Sequence, residues 1–293
     1  MRKYIRAAIL AYFMLQTLPA SADSLGNRPA YTSRELSAVA NREAITKSIW
    51  APGIDDGYVP QGITFIEGGV YMSAYLSTTL SPARGPCRVY RLDPATGAVT
   101  STLDLPSSCG HAGGLARGPA RQLFVADTRH LYLVQLAKPN SKTLGRIDRT
   151  MRLAGDVKGS FAAGQGPFLW LGTYRRDGDG RLYKFSAANL PEKIDETSAV
   201  HSLPLPLRSQ GATFDHKGRL WVSQSSGGFG SITILDPTSG DVLKRYETAI
   251  GVEDLSFDKN GQLWTVSEAG SIRWSKWHQF FPVIYRLDVS KLK

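Results

Sequence analysis

The chain predicts an all-β fold, a five-bladed β-propeller closed by an N-terminal strand, and three observations carry that prediction. A unit of small-residue turn, apolar strand, short hairpin and second apolar strand occurs five times. Its register residues Gly62, Gly114, Ser160, Gly211 and Asp254 are spaced by 52, 46, 51 and 43 residues, a period suited to propeller blades. The fifth unit ends after its third strand, whereas a strand without a unit of its own, 44–50, precedes the first. Pairing these two would close the ring and remove an exposed sheet edge.

The units follow in order. The first runs from 61–65 to 70–75, the second from 113–116 to 123–127, and the third from 159–162 to 169–174. The fourth runs from 210–214 to 220–224 and the fifth from 253–257 to 263–268. Third strands end in a fixed turn, clearest in Leu92-Asp93-Pro94-Ala95-Thr96-Gly97 and Leu235-Asp236-Pro237-Thr238-Ser239-Gly240. Proline sets φ in such a turn, the Asp carboxylate accepts nearby backbone N–H groups, and glycine closes it where φ must be positive. Fourth strands at 99–105 and 242–248 are more polar, as outer edges of blades should be. A sixth, degenerate blade is the alternative, but the residues before 44 are too few for four strands.

Residues 1–22 carry a basic start (Arg2, Lys3, Arg6), an apolar run from Ala7 to Leu18 and the small-x-small sequence Ala20-Ser21-Ala22. That pattern predicts a secretory signal peptide, and its apolar run is too short to span a bilayer. The domain plan is therefore a leader at 1–22, an arm at 23–43 packed over the outside, and the propeller at 44–293. The expected location is exported, either periplasmic or secreted. Losing the leader lowers the formal charge of +10 by its three cations. The remaining Lys and Arg are spread over every unit without a basic run, which argues against a nucleic-acid function. No other apolar run predicts a membrane span, and a closed ring predicts a monomer.

Cys87 and Cys109 are the two cysteines, and an oxidising compartment favours pairing them. They fall in loops expected on the same face of the propeller. A cysteine nucleophile is the sharper alternative.

Innermost strands begin, and second strands end, at one mouth of the central channel. The starting residues are Gln61, His111 with Gly113, Gly159, Gln210 and Glu253; the ending residues are Tyr75, Asp127, Tyr174, Gln224 and Glu268. Gln61, Tyr75, Asp127, Tyr174, Gln210 and Gln224 are accordingly candidate ligand-binding residues. Carboxylates and amide carbonyls suit a hard divalent cation, Ca²⁺ first, with Glu253, Glu268 and Gln61 as candidate ligands. His111 and Glu253 are the candidate proton carriers. Over this face, the loop 269–282 gathers Trp274, Lys276, Trp277, His278, Phe280 and Phe281, with Trp274 and Trp277 forming a candidate binding rim.

The small-residue turn, the Leu-Trp-Val-Ser strand and the Leu-Asp-Pro-x-x-Gly hairpin resemble exported bacterial propellers of the regucalcin and gluconolactonase class, and also streptogramin lyases. That resemblance covers roughly 44–293 and implies a central divalent cation held by one Glu with Asn or Asp. Here Gln61 stands where that Glu is expected, which moves the acidic ligand to Glu253 or Glu268. Gln61-Gly62 also resembles the first-blade Gln-Gly motif of papaya-type glutaminyl cyclases. Their second-blade Glu falls at Gly113, and their last-blade Lys falls near Ser267 and Glu268. These readings converge on a propeller binding a small polar ligand at its mouth, as a lactonase-like hydrolase. The alternatives are a non-catalytic scaffold for an envelope protein or glycan, and glutaminyl-cyclase-like or lyase chemistry.

Overall fold

The structure is a computed structural model that describes residues 24–81 and 84–293, so the segment 1–22 read as a leader lies outside the described residues. Five small sheets form the five blades, and no α-helix occurs among the described residues. Blade one contains Tyr58–Ile66, Gly69–Leu76, Cys87–Leu92 and Val99–Asp104, and blade two Gly114–Arg117, Gln122–Ala126, His130–Leu136 and Gly145–Leu153. Blade three contains Phe161–Gln165, Phe168–Gly172, Gly180–Ser186 and His201–Leu205, and blade four Ser209–Phe214, Leu220–Ser226, Phe229–Leu235 and Val242–Glu247. Blade five takes three strands from the end of the chain, Val252–Phe257, Leu263–Ser267 and Val283–Leu287, and its outer strand, Ile45–Trp50, from the beginning. The closing pair is antiparallel, with Trp50 opposite Val283 and Ser48 opposite Tyr285. The predicted closure is the observed one, and no sixth blade forms among the described residues.

Alternation along each strand sends apolar side chains to both faces, where they meet the neighbouring blades. Five core clusters result, one at each blade interface. Trp221 and Trp264, both buried, belong to these clusters and carry an indole N–H that burial would leave unpaired. A hairpin aspartate accepts each one: Trp221 donates to Asp215 and Trp264 to Asp258, both at 3.0 Å.

At the axis the innermost strands approach so closely that side chains are excluded. A Cβ on Gly114 would lie 2.2 Å from the backbone nitrogen of Ala162, and one on Gly211 would lie 2.3 Å from the Cα of Asp254. The repeated small residue is therefore a packing requirement of the ring.

Two additions cover the outside. Lys193–Ile194 pairs in parallel with the outer strand of blade two, protecting that edge. The segment from Ser24 onward runs beside the closing strand, with Leu25 N–H donating to Ser48 O and Trp50 N–H to Leu25 O, both at 2.9 Å. It then crosses to the loop 269–282, where Ser37 and Phe280 exchange hydrogen bonds and Arg34 donates to the carbonyls of Ser275, Trp277 and His278.

Candidate acid–base site at the channel mouth

Three of the innermost strands are bulged where they reach the mouth, between Pro60 and Ile63, between Ser209 and Gly211, and between Val252 and Leu255. A bulge sets two residues against one and re-aims their side chains. In blade five this brings both Glu253 and Asp254 inward, and both are buried.

Asp254 lies on the axis. One carboxylate oxygen accepts the backbone N–H of Ile63 at 3.2 Å and of Leu115 at 2.9 Å, and the other accepts that of Leu255 at 2.9 Å. The N–H of Ala212 also reaches this carboxyl. Four blades thus share one side chain. Burial raises its pKa, against the pull of those four donors.

Glu253 faces Glu268, which ends the second strand of the same blade, and the two carboxyls are in hydrogen-bond contact. Burial first, and then the charge of Glu268, hold the Glu253 carboxyl well above the usual carboxylate range. Burial pushes Glu268 up to about 7, with Trp274, Arg84, Gln61 and Arg273 acting in the opposite sense. Two carboxyls this close do not both ionise, so the pair holds a proton near neutral pH. Gln61 donates to Glu268 Oε2 at 3.0 Å and to its neighbour's carbonyl, Pro60 O, at 2.8 Å.

The walls are aromatic and cationic. Tyr75 packs against the His111 ring, with centroids 5.3 Å apart, and under the Arg84 guanidinium at 5.4 Å. Burial, then the Glu268 charge, raises the Tyr75 phenol. His111 sits on a loop whose Gly110, His111 and Ala112 N–H groups all donate to Asp127 Oδ1. Burial and then the Arg84 charge lower the His111 pKa to about 4. The imidazole is therefore held neutral at pH 7.

Arg273 reaches across from the loop 269–282 to blade one, donating to Ser77 Oγ at 2.6 Å, to Thr79 O, and to Ser81 O at 3.0 Å. Trp274 stacks on Trp277 at 4.7 Å and packs against the blade one–blade two cluster. Phe280 and Phe281 turn instead into the blade four–blade five core. The loop is thus half rim and half core. Among the described residues nine buried side-chain polar atoms lack a hydrogen-bond partner, and four of them belong to Glu253, Ser271, Arg273 and Trp274. Such atoms are costly unless something pairs with them, so their concentration here makes the mouth the candidate site.

The structure therefore brings together Gln61, Tyr75, His111, Glu253, Glu268 and Trp274, with Trp277 stacked behind Trp274 and Asp127 supporting the His111 loop. The three remaining predicted ligand-binding residues make contacts within or beside their own blades. Gln224 is turned into blade four, where its amide accepts from Thr233 at 2.9 Å and Arg245 at 3.2 Å and donates to Leu207 O at 2.8 Å. Gln210 reaches Ser225 of the same blade at 3.4 Å, and Tyr174 meets Ser160 through its backbone N–H. Arg84 and Arg273 were missed, because nothing local in a loop sequence marks an arginine that acts across blades.

Glu253, Glu268 and Gln61 supply fewer than the six to eight oxygen ligands that Ca²⁺ takes. Gln61 turns its N–H₂ group toward Glu268, and Arg84 and Arg273 add positive charge beside the pair. Among the described residues, the group of three metal-capable side chains within 4.8 Å of one another is Cys87, Cys109 and Asp127. Both cysteines are buried free thiols in hydrogen-bond contact with each other. That contact, then burial, raises the Cys87 thiol.

No family model and no curated protein sequence matches the chain. Solved structures do match its shape. The glutaminyl cyclase of Myxococcus xanthus aligns with a TM-score of 0.58 at 12% identity, over 83% of this chain and 94% of that one. The PQQ-bound aldose sugar dehydrogenase of Streptomyces coelicolor aligns at 0.53 and 15% identity, over 85% and 98%. Regucalcin of Agrobacterium tumefaciens, a calcium-binding protein, aligns at 0.42 and 15% identity, over 82% and 94%. At such identities the likeness is one of fold.

Proposed function

We propose that this chain is an exported enzyme performing acid–base chemistry on a small polar carbonyl compound, an amide, lactone or ester, at the channel mouth. The observation that carries this reading is the buried Glu253–Glu268 pair, two carboxyls in contact at the mouth with one Glu253 oxygen unpaired and with burial raising the pKa of both. A carboxyl kept protonated by burial can donate to a leaving group, while its ionised neighbour accepts from the attacking one. The Trp274 N–H is directed at Glu268 without reaching full hydrogen-bond geometry, and a substrate oxygen beside Glu268 could share it. Arg84 and Arg273 add positive potential suited to a substrate with a carboxylate arm. The glutaminyl cyclase and aldose sugar dehydrogenase with similar folds support an enzyme on this architecture without selecting the reaction. Against the scaffold alternative, the two rim tryptophans are half-buried and stacked on each other.

The test is turnover of a panel of amides, lactones and esters of small polar acids, followed by mass spectrometry. Glu253→Gln and Glu268→Gln should each lower the rate by about 10²–10⁴-fold with the fold retained. Added EDTA should leave the rate unchanged. Activity that survives both substitutions, or disappears with EDTA, would overturn the reading.

A further inference from the structure

Beneath the mouth, Cys87 opens the third strand of blade one and Cys109 lies in the crossing to blade two. Both are fully enclosed, and the Cys109 thiol also lies 3.8 Å from Asp127 Oδ1. That oxygen accepts the N–H groups of Gly110, His111 and Ala112. Cys87 stands directly opposite Tyr75 in the blade, and Tyr75 packs on His111. One pair of sulfurs therefore lies under both halves of the Tyr75–His111 wall.

We propose that Cys87 and Cys109 form a disulfide that cross-links blade one to the His111 loop and fixes that wall of the mouth. The two sulfurs lie within 4.8 Å of one another across the blade junction, so the bond can form during folding, before burial encloses them. A soft metal is the competing occupant, because two thiolates and a carboxylate are its ligand types. Asp127 argues against it: Oδ1 is already committed to three backbone donors, and its other oxygen faces the N–H of Arg129 and the ring of His130. In the reaction the two thiols give up two protons and two electrons to a disulfide oxidant such as oxidised glutathione. The oxidant leaves as two molecules of reduced glutathione, and one S–S bond forms between Cys87 and Cys109.

The test uses the full purified chain refolded in a mixture of oxidised and reduced glutathione, with intact mass, peptide mapping without reductant and elemental analysis. The expected result is a mass lower by two hydrogens, a peptide pair joined through Cys87 and Cys109, and no bound zinc. Reduction should lower the melting midpoint by roughly 5–10 °C and speed hydrogen exchange at residues 109–112. The Cys87→Ala/Cys109→Ala variant, which keeps an apolar site, should melt near the reduced protein and ignore the reductant. Two thiols open to alkylation after refolding, or stoichiometric zinc, would overturn the proposal. So would exchange at 109–112 that reduction leaves unchanged, because the cross-link would then not hold the wall.

Discussion

Glu253 and Asp254 are neighbours in sequence, both buried and both raised in pKa by that burial, yet their surroundings differ in one decisive respect. Asp254 meets four backbone donors from four blades. Glu253 meets another carboxyl and keeps an oxygen without a partner. A satisfied buried acid joins parts of the fold, whereas an unsatisfied one stores free energy that a ligand can release. The hub of the ring and its mouth are thus built from adjacent residues on one bulged strand.

Breaking the hub should have the largest effect. Asp254→Ala leaves the N–H groups of Ile63, Leu115, Ala212 and Leu255 buried without their acceptor, and each such loss costs about 1–3 kcal/mol. The expected destabilisation is roughly 4 kcal/mol or more by urea denaturation. Glu253→Gln should change stability by no more than about 1 kcal/mol, because it removes a carboxyl that faces another. Equal losses from the two substitutions would erase the distinction between hub and mouth.

The pH dependence sharpens the same contrast. Glu268 titrates near 7 in the folded protein against an ordinary value of 4.5, so its contribution is full below pH 4.5 and lost as pH rises to about 7. His111 works in reverse: its folded value of about 4 lies below the ordinary 6.5, so its contribution is full above pH 6.5 and lost as pH falls toward 4. The two slopes oppose each other between pH 4.5 and 6.5. Glu268→Gln should tilt the curve toward stability that rises with pH across that window, and His111→Gln toward stability that falls, each by roughly 1–3 kcal/mol. Denaturant midpoints at half-unit pH intervals measure both, and a change of the wrong sign in either variant would remove its group from the pair of opposing slopes.

How much of this could be read from the chain follows from which features repeat. The propeller was legible because Gly62, Gly114 and Gly211 answer to one requirement, the crowding of backbones at the axis. Closure by the strand before blade one was legible because an unpaired edge had to be covered. The mouth was legible as a set of polar positions, and Gln61, Glu253 and Glu268 do meet there. Direction was not legible. Gln224 was expected at the mouth, but it lies on the second strand opposite the bulge at Ser209–Gly211 and turns toward Thr233 and Arg245. Asp254 was legible as a register position, but its four donors come from backbone brought together only when the ring closes. Arg273 is bound to blade one through a contact spanning 196 positions, which no local pattern announces.

The smallest expected effect separates the rim from the core within one loop. Phe281 packs at 5.3 Å on Tyr285, whereas Trp274 stacks on Trp277 and leaves its indole N–H unpaired. Trp274→Phe keeps an aromatic ring but removes the donor, so stability should move by no more than about 0.5 kcal/mol. Turnover on whichever carbonyl substrate the panel identifies should fall about tenfold, the equivalent of roughly 1.4 kcal/mol for one hydrogen bond to a substrate oxygen. Phe281→Ala should show the opposite pattern, costing about 3 kcal/mol or more of stability because it opens a cavity in a packed interface. If Trp274→Phe lowers stability without touching turnover, the indole serves the loop and the substrate oxygen finds its donor elsewhere, with Gln61 the next candidate beside Glu268.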